Sequence, residues 1–413
     1  MQNQILSHLQ QPGELEKLYR ANKSEFKRAF QAVYPQIQGQ QIAEFWQERL
    51  RDKADGISWG SQKEHLWVVL AILFAGFLAK IPEIFSIDEE FFYPRNISYI
   101  VLPLITAFFA WKNELSLNAK SVLIGITGLS LVYINSLPGK ETDTLVLACI
   151  HLPLLLWGML GVAYSGPELG DWQKRLDFLR FNGEAAVLSV LIGIAAFLLS
   201  AITIGLFSLI EVPIEDFWAH YVAAFGLPAI PILGTYLAHS NPQLVNKVSP
   251  VIAKIFSPIM LVMLVFYLIA IAVTGKDPYN DREFLLLFNL LLIGVMALIF
   301  FSVAEGSSQE RRAFGAWTLF LLSLVTIIVN GIAISAIIFR ISELGFTPNR
   351  TAVLGGNLLM LIHLFLISWK LYHSAVKKAE LADVGKSVVR YLPVYMVWSA
   401  VVVFVLPMLF GFE

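Results

Sequence analysis

Cysteine is almost missing from this chain: its 413 residues include a single one, Cys149. One thiol closes no intramolecular disulfide and builds no cysteine-based metal centre. Charge is scarce as well. Asp, Glu, Lys and Arg make up 15% of the residues while 57% are hydrophobic, whereas soluble domains are about one quarter charged. No basic tract suggests nucleic acid as a partner. The G-x-S-x-G elbow, the P-loop, a G-x-G-x-x-G after a strand and the zincin motif are all missing, which counts against an ATPase or a dehydrogenase. No cofactor and no metal are expected, and an enzyme is the less favoured class. A lipid-modifying membrane enzyme survives these absences, because such enzymes often lack portable motifs.

What fills the chain instead is apolar sequence in long runs. About eleven runs are long enough to cross roughly 30 Å of hydrocarbon as helices. They lie near 66–85, 92–111, 119–137, 144–164, 184–210, 217–238, 252–274, 284–303, 313–338, 351–372 and 391–410. The runs are continuous rather than alternating, so helices and not a barrel satisfy the backbone. The expected fold is an all-α polytopic membrane protein: residues 1–64 a cytoplasmic amphipathic helical prefix, 65–413 a transmembrane helical domain in a bacterial inner membrane. The first run reads as an uncleaved anchor.

Charge placement orients the chain. With the N-terminus cytoplasmic and the C-terminus outside, the outer loops hold only Lys140, Lys276, Arg282, Arg340 and Arg350 of the 30 Lys and Arg residues. Lys80 and Arg95 lie in or at the ends of spans, and the others fall on the inner side, as the positive-inside rule requires. Within the prefix, residues 14–30 and 40–51 read as amphipathic helices with Pro35 and Gly39 between them. Leu169, Trp172, Leu176 and Leu179 predict a helix lying in the inner interface. Asn182 is expected to cap the next span, with Glu184 near its positive end. The basic loop 370–390 also reads as helical.

Three stretches carry candidate chemistry. The loop I-E-V-P-I-E-D-F-W-A-H crowds Glu211, Glu215, Asp216 and His220 at the outer interface, with Asp216 and His220 four apart on one helical face. Such a set binds a metal or relays protons, or is simply an exposed acidic loop with Trp218 and Tyr221 as interfacial anchors. The sixth run contains Gly226, Pro228, Pro231 and Gly234, the composition of a kinked or broken helix; broken helices often line solute sites. Deep ionisable groups are few: Lys80, His151 and His363, with Asn289, Asn330 and Asn357 beside them in apolar runs. Interhelical hydrogen bonding is the default for the histidines and asparagines. No carboxylate lies near a span centre. Glu184 and Glu305 lie near inner ends, which weighs against proton-coupled transport.

The third stretch, R-I-S-E-L-G-F-T-P-N-R at 340–350, turns one run into the next. Gly345 suits a left-handed helix end, Thr347 a cap and Pro348 a first helical position. Arg340 and Glu343 are spaced to pair, and Arg350 adds a second cation on the side where cations are rare. Its Glu343, Leu344, Gly345, Phe346, Thr347 and Arg350 resemble the E-Y-G-L-T-x-x-R hairpin of bacterial polytopic membrane proteins known as domain of unknown function 4153. That resemblance implies a bacterial inner-membrane location and brings no activity, substrate or catalytic residue.

Three functions follow as expectations. The first is transport or permeation of a small solute, lipid or ion. The second is a sensor, scaffold or assembly factor, with a protein partner docking on residues 1–60. The third is an enzyme acting on an outer-leaflet lipid or envelope precursor, which needs the outer acidic loop and the arginine hairpin to converge. The lipid bilayer is the one partner common to all.

Overall fold

The structure is a computed structural model that describes the chain apart from residues 10, 22, 52–59, 139–141, 243–248, 275–278, 280–281, 307–312, 377–379 and 413. Helices account for its regular structure, and no strand occurs among the described residues. The chain divides into two compact units, Met1–Ser58 and Trp59–Glu413.

The first unit has four helices: α1 (Gln2–Ser7), α2 (Pro12–Ala21), α3 (Lys23–Ile37) and α4 (Gln41–Arg51). Their apolar positions close on one another, burying Ile5, Leu15, Phe26, Phe30, Val33 and Trp46. Phe26 meets Trp46 at 5.0 Å between ring centres. Arg49 lies 4.8 Å over the Trp46 ring and pairs with Glu16 at 2.9 Å. Pro35 does not interrupt α3 as its composition suggests. It sits in the last turn, two residues before the helix ends, and the chain turns at Gly39, whose φ is +87°.

Among the described residues the second unit holds ten helices long and apolar enough to cross a membrane. In order they are α5 (Gln62–Ala79), α8 (Leu117–Ser136), α9 (Asp143–Ser165), α10 (Trp172–Leu209), α11 (Glu215–Ser240), α12 (Ser249–Thr274), α13 (Arg282–Gly306), α14 (Ala313–Leu344), α15 (Pro348–Ala375) and α16 (Leu381–Leu409). Two others fall between α5 and α8: the short α6 (Ile81–Phe85), and α7 (Glu89–Lys112), which has 24 residues but is less apolar. The expected run at 92–111 is therefore a helix but is not among the ten.

Among the described residues two large apolar cores organise this unit, and a small third one, of Leu147, Ala352, Val402 and Leu406, joins α9, α15 and α16. One of the large cores joins α5, α7, α8, α9 and α11. The other joins α12, α13, α14, α15 and α16. Helix α10 serves both, giving Phe178, Phe181 and Ala185 to the first and Leu176 and Leu179 to the second, and α16 does so too, with Val403 in the first and Val384, Val388 and Val389 in the second. It is 38 residues long, about 57 Å at 1.5 Å per residue. The interfacial helix and the span expected on either side of Asn182 are thus one element. Its cap is Asp171, which accepts from the Gln173 nitrogen at 2.9 Å. Asn182 caps nothing: it accepts from the Trp157 indole at 2.8 Å and donates to the Phe178 carbonyl.

Cross-helix bonds sort the helix ends. Glu64 pairs with Lys112, Asn113 donates to the Tyr164 carbonyl at 2.8 Å, and Arg180 donates to the Ala304 carbonyl at 2.7 Å. These put the starts of α5 and α10 with the ends of α7, α9 and α13. At the opposite end, Asn96 and Asn135 exchange amide hydrogen bonds at 2.9 Å.

Candidate functional site

Helix α11 runs unbroken from Glu215 to Ser240 with Pro228 and Pro231 inside it, so of the kinked and the broken readings the broken one is not there. The irregularity lies upstream, in a π-helical stretch at Trp218–Ala223. That stretch ends just before Ala224, whose carbonyl Pro228 cannot reach with a donor. Gly226 faces open space, whereas Gly234 lies against α10. A Cβ at Gly234 would strike the Ser189 hydroxyl and approach the Ser189 nitrogen to 2.9 Å and the Ala185 carbonyl to 3.0 Å. The crevice beside this helix is apolar, lined by Trp67, Val68, Ile105, Phe108, Ile232, Thr235 and Tyr236.

The acidic loop at 211–220 does not assemble as a cluster. Glu211 takes a left-handed backbone (φ +57°) between the two helices. Glu215 and Asp216 make no ion pair among the described residues. His220 meets Glu83 of α6 at 3.2 Å rather than Asp216. Glu83 also pairs with Lys80, whose ammonium lies 4.4 Å over the Tyr221 ring. The Lys80 hydrogen bond, helped by the one from His220, holds the Glu83 carboxyl below its ordinary value against desolvation. Among the described residues no group of three or more His, Cys, Asp and Glu is arranged to hold a metal.

The 340–350 hairpin forms as its residues dictate. Gly345 has φ +77°, the Thr347 hydroxyl accepts from the Arg350 nitrogen at 3.3 Å, and Pro348 opens α15. Arg350 donates to the Leu344 and Gly345 carbonyls at 3.0 and 2.8 Å, closing its own turn. Arg340 and Glu343 do not pair, and no hydrogen bond or ion pair joins this hairpin to the 211–220 loop among the described residues.

Further buried polar groups lie in the second core and along α10. Asn357 donates to Asn289 at 2.8 Å, and Asn330 donates to the Asn357 carbonyl at 3.0 Å. His363 shares a 3.0 Å hydrogen bond with the Tyr395 hydroxyl and stacks on Tyr391 at 4.3 Å. Ser368 donates to Ser323 at 2.6 Å, and Ser257 meets Ser302 at 2.9 Å. Asn330 and His363 are wholly buried, and the Asn330 Oδ1 and His363 Nε2 have no partner among the described residues. Tyr395 needs an acceptor for its proton, so in a neutral ring His363 Nδ1 accepts and Nε2 carries the unmatched donor.

Along α10, where the two cores meet, Arg180 also donates to Asp177 at 3.1 Å. One turn on, Glu184 is 5% exposed and makes no hydrogen bond or ion pair among the described residues. Glu305 of α13, equally buried, and Arg180 act on it electrostatically. Gly183 beside it receives the Phe301 ring. Sequence reasoning found Glu184 and Glu305 separately and gave Glu184 a helix terminus that does not exist. Their meeting, 121 positions apart on two helices, leaves no local signal.

Comparison of the chain with protein-family models, with characterised proteins and with solved structures finds no match in any of the three.

Proposed function

We propose that this chain transports a small solute, lipid or ion across a bacterial cytoplasmic membrane, its two helical cores moving against each other about α10. The observation that carries this reading is that two large apolar cores meet along α10, which gives residues to both and is tied there to α9 and α13 by polar contacts, with α16 and a small third core completing the seam. Rigid-body rocking of one helical bundle against another is the common physical basis of alternating access. The unmatched polar atoms of Asn330 and His363 support it, since buried polar groups in spans are costly and mark solute paths. Helix α7 serves as an eleventh span in this reading, which keeps the charge asymmetry and a cytoplasmic N-terminus. The 343–350 hairpin favours membership of the domain of unknown function 4153 group.

The test locks the two halves together. Gly158 of α9 and Met396 of α16 touch across the cores. With Cys149→Ser as background, Gly158→Cys and Met396→Cys provide a reversible cross-link. Solute flux into proteoliposomes should fall on oxidation and return on reduction. Flux that is the same in both states removes the rocking mechanism; no flux for any solute, lipid or ion tried removes transport. The first unit favours a second role, since a separately cored helical module is suited to docking a protein. Deleting residues 1–58 should then abolish capture of a partner while the remaining helices stay folded; undiminished capture refutes it.

A further inference from the structure

We infer that Glu184 is a proton-binding carboxylate, and that its protonation couples the two halves of the helical unit. The inference rests on the transport reading for its purpose but not for its chemistry. A buried ionised carboxylate without a hydrogen bond or ion pair is strongly disfavoured, and in a membrane protein an ionisable group so placed is functional by default. The usual structural excuse is missing here. Glu184 lies twelve residues inside α10, counted from Trp172, so no helix N-terminus stabilises its charge.

Its surroundings select a proton over a metal cation. A hard cation takes about six oxygen ligands, whereas Glu184 is flanked by Gly183 under the Phe301 ring and by buried Ala185. The charged and titratable groups around it are few. Asp177 and Arg180 share its helix, Glu305 faces it from α13, and Tyr164 approaches from α9. Farther off at the same end, α16 brings Lys386 over the Trp172 ring, α11 brings His239 and α12 carries the exposed Lys254. Arg180 attracts the ionised form while Glu305 repels it. Closure of the two cores over Glu184 thus favours the protonated form, and separation admits water and favours release. A proton taken up from one side as the carboxyl O–H forms is given to water on the other when that bond breaks.

Infrared spectroscopy of the full chain in liposomes tests this. A protonated-carboxyl band should weaken as pH is raised, and Glu184→Gln should remove that component while Glu305→Gln leaves one. Glu184→Asp, which keeps the acid, should restore a titrating band and guards against a folding defect. If Glu184→Gln leaves the titrating band unchanged, the inference fails. Flux measured beside it separates the two readings. Flux that follows a pH gradient equally in wild type and Glu184→Gln overturns the inference and leaves transport standing. A Glu184 band without flux of any tested solute leaves the proton site standing and removes transport.

Discussion

Asn289 and Asn357 offer the sharpest energetic test of the second core. Their 2.8 Å amide bond links α13 to α15, with Asn330 of α14 bound to the Asn357 carbonyl. In hydrocarbon no water replaces a lost partner, yet the unfolded chain in a membrane also finds partners, so an interhelical hydrogen bond contributes about 0.6 kcal/mol and at most about 1.7. Asn357→Ala also leaves the Asn289 oxygen unmatched, which adds to a total cost of about 1–3 kcal/mol. The Asn330 bond survives that change because it goes to backbone. The coupling energy in a double-mutant cycle of Asn289→Ala and Asn357→Ala isolates the side-chain pair. We expect about 0.6–1.7 kcal/mol, roughly a 3- to 20-fold effect on the unfolding equilibrium, read by denaturation in detergent micelles or by steric trapping. A coupling within about 0.3 kcal/mol of zero, the range in which independent sites add, would show that the two amides do not bond and would refute the reasoning.

Two further outcomes follow from single sites. Gly234→Ala should destabilise the helical unit by about 1–3 kcal/mol, because the new methyl meets backbone atoms of α10 that cannot step aside, whereas Gly226→Ala should be near neutral; thermal unfolding of both checks this. Glu44 should titrate below the ordinary carboxylate value of about 4.3, because the Gly39 N–H and the Tyr34 hydroxyl donate to it. A depressed folded value means that its stabilisation is complete above the unfolded value and is lost as pH falls through the folded one. Carboxyl-carbon NMR of the full chain reads that midpoint, and an unshifted Glu44 would contradict the geometry.

Local chemistry was the legible part of this sequence. Gly345, Thr347 and Pro348 turn α14 into α15 as their backbone preferences require, and the apolar runs became helices because hydrocarbon leaves the backbone no other partner. Misreadings arose where a local preference met a longer-range constraint. The change of composition at Asn182 resembled a boundary, yet nothing there stops a helix, and α10 continues. Pro228 and Pro231 left a kink and a break both open; the helix is continuous, because a helix packed between neighbours tolerates proline, and its irregularity is the π turn at Trp218–Ala223. The candidate site was hardest to see. His220 finds Glu83 at a separation of 137 residues, and Arg180 finds the Ala304 carbonyl at 124. Such pairings come from helix packing and have no counterpart in adjacent sequence.

Helix α10 is buried towards one end only, and its other half is flanked by α11, whose Ile230 reaches Gly193. Its first half is wedged between two cores, whereas from Ile194 onward its residues are almost all exposed and its most apolar window has no buried residue. A stiff helical hairpin held at its base and exposed along the rest of its length is a cantilever. Hydrophobic mismatch tilts such helices, so bilayer thickness becomes a mechanical input delivered at the base, where Gly183 and Glu184 sit.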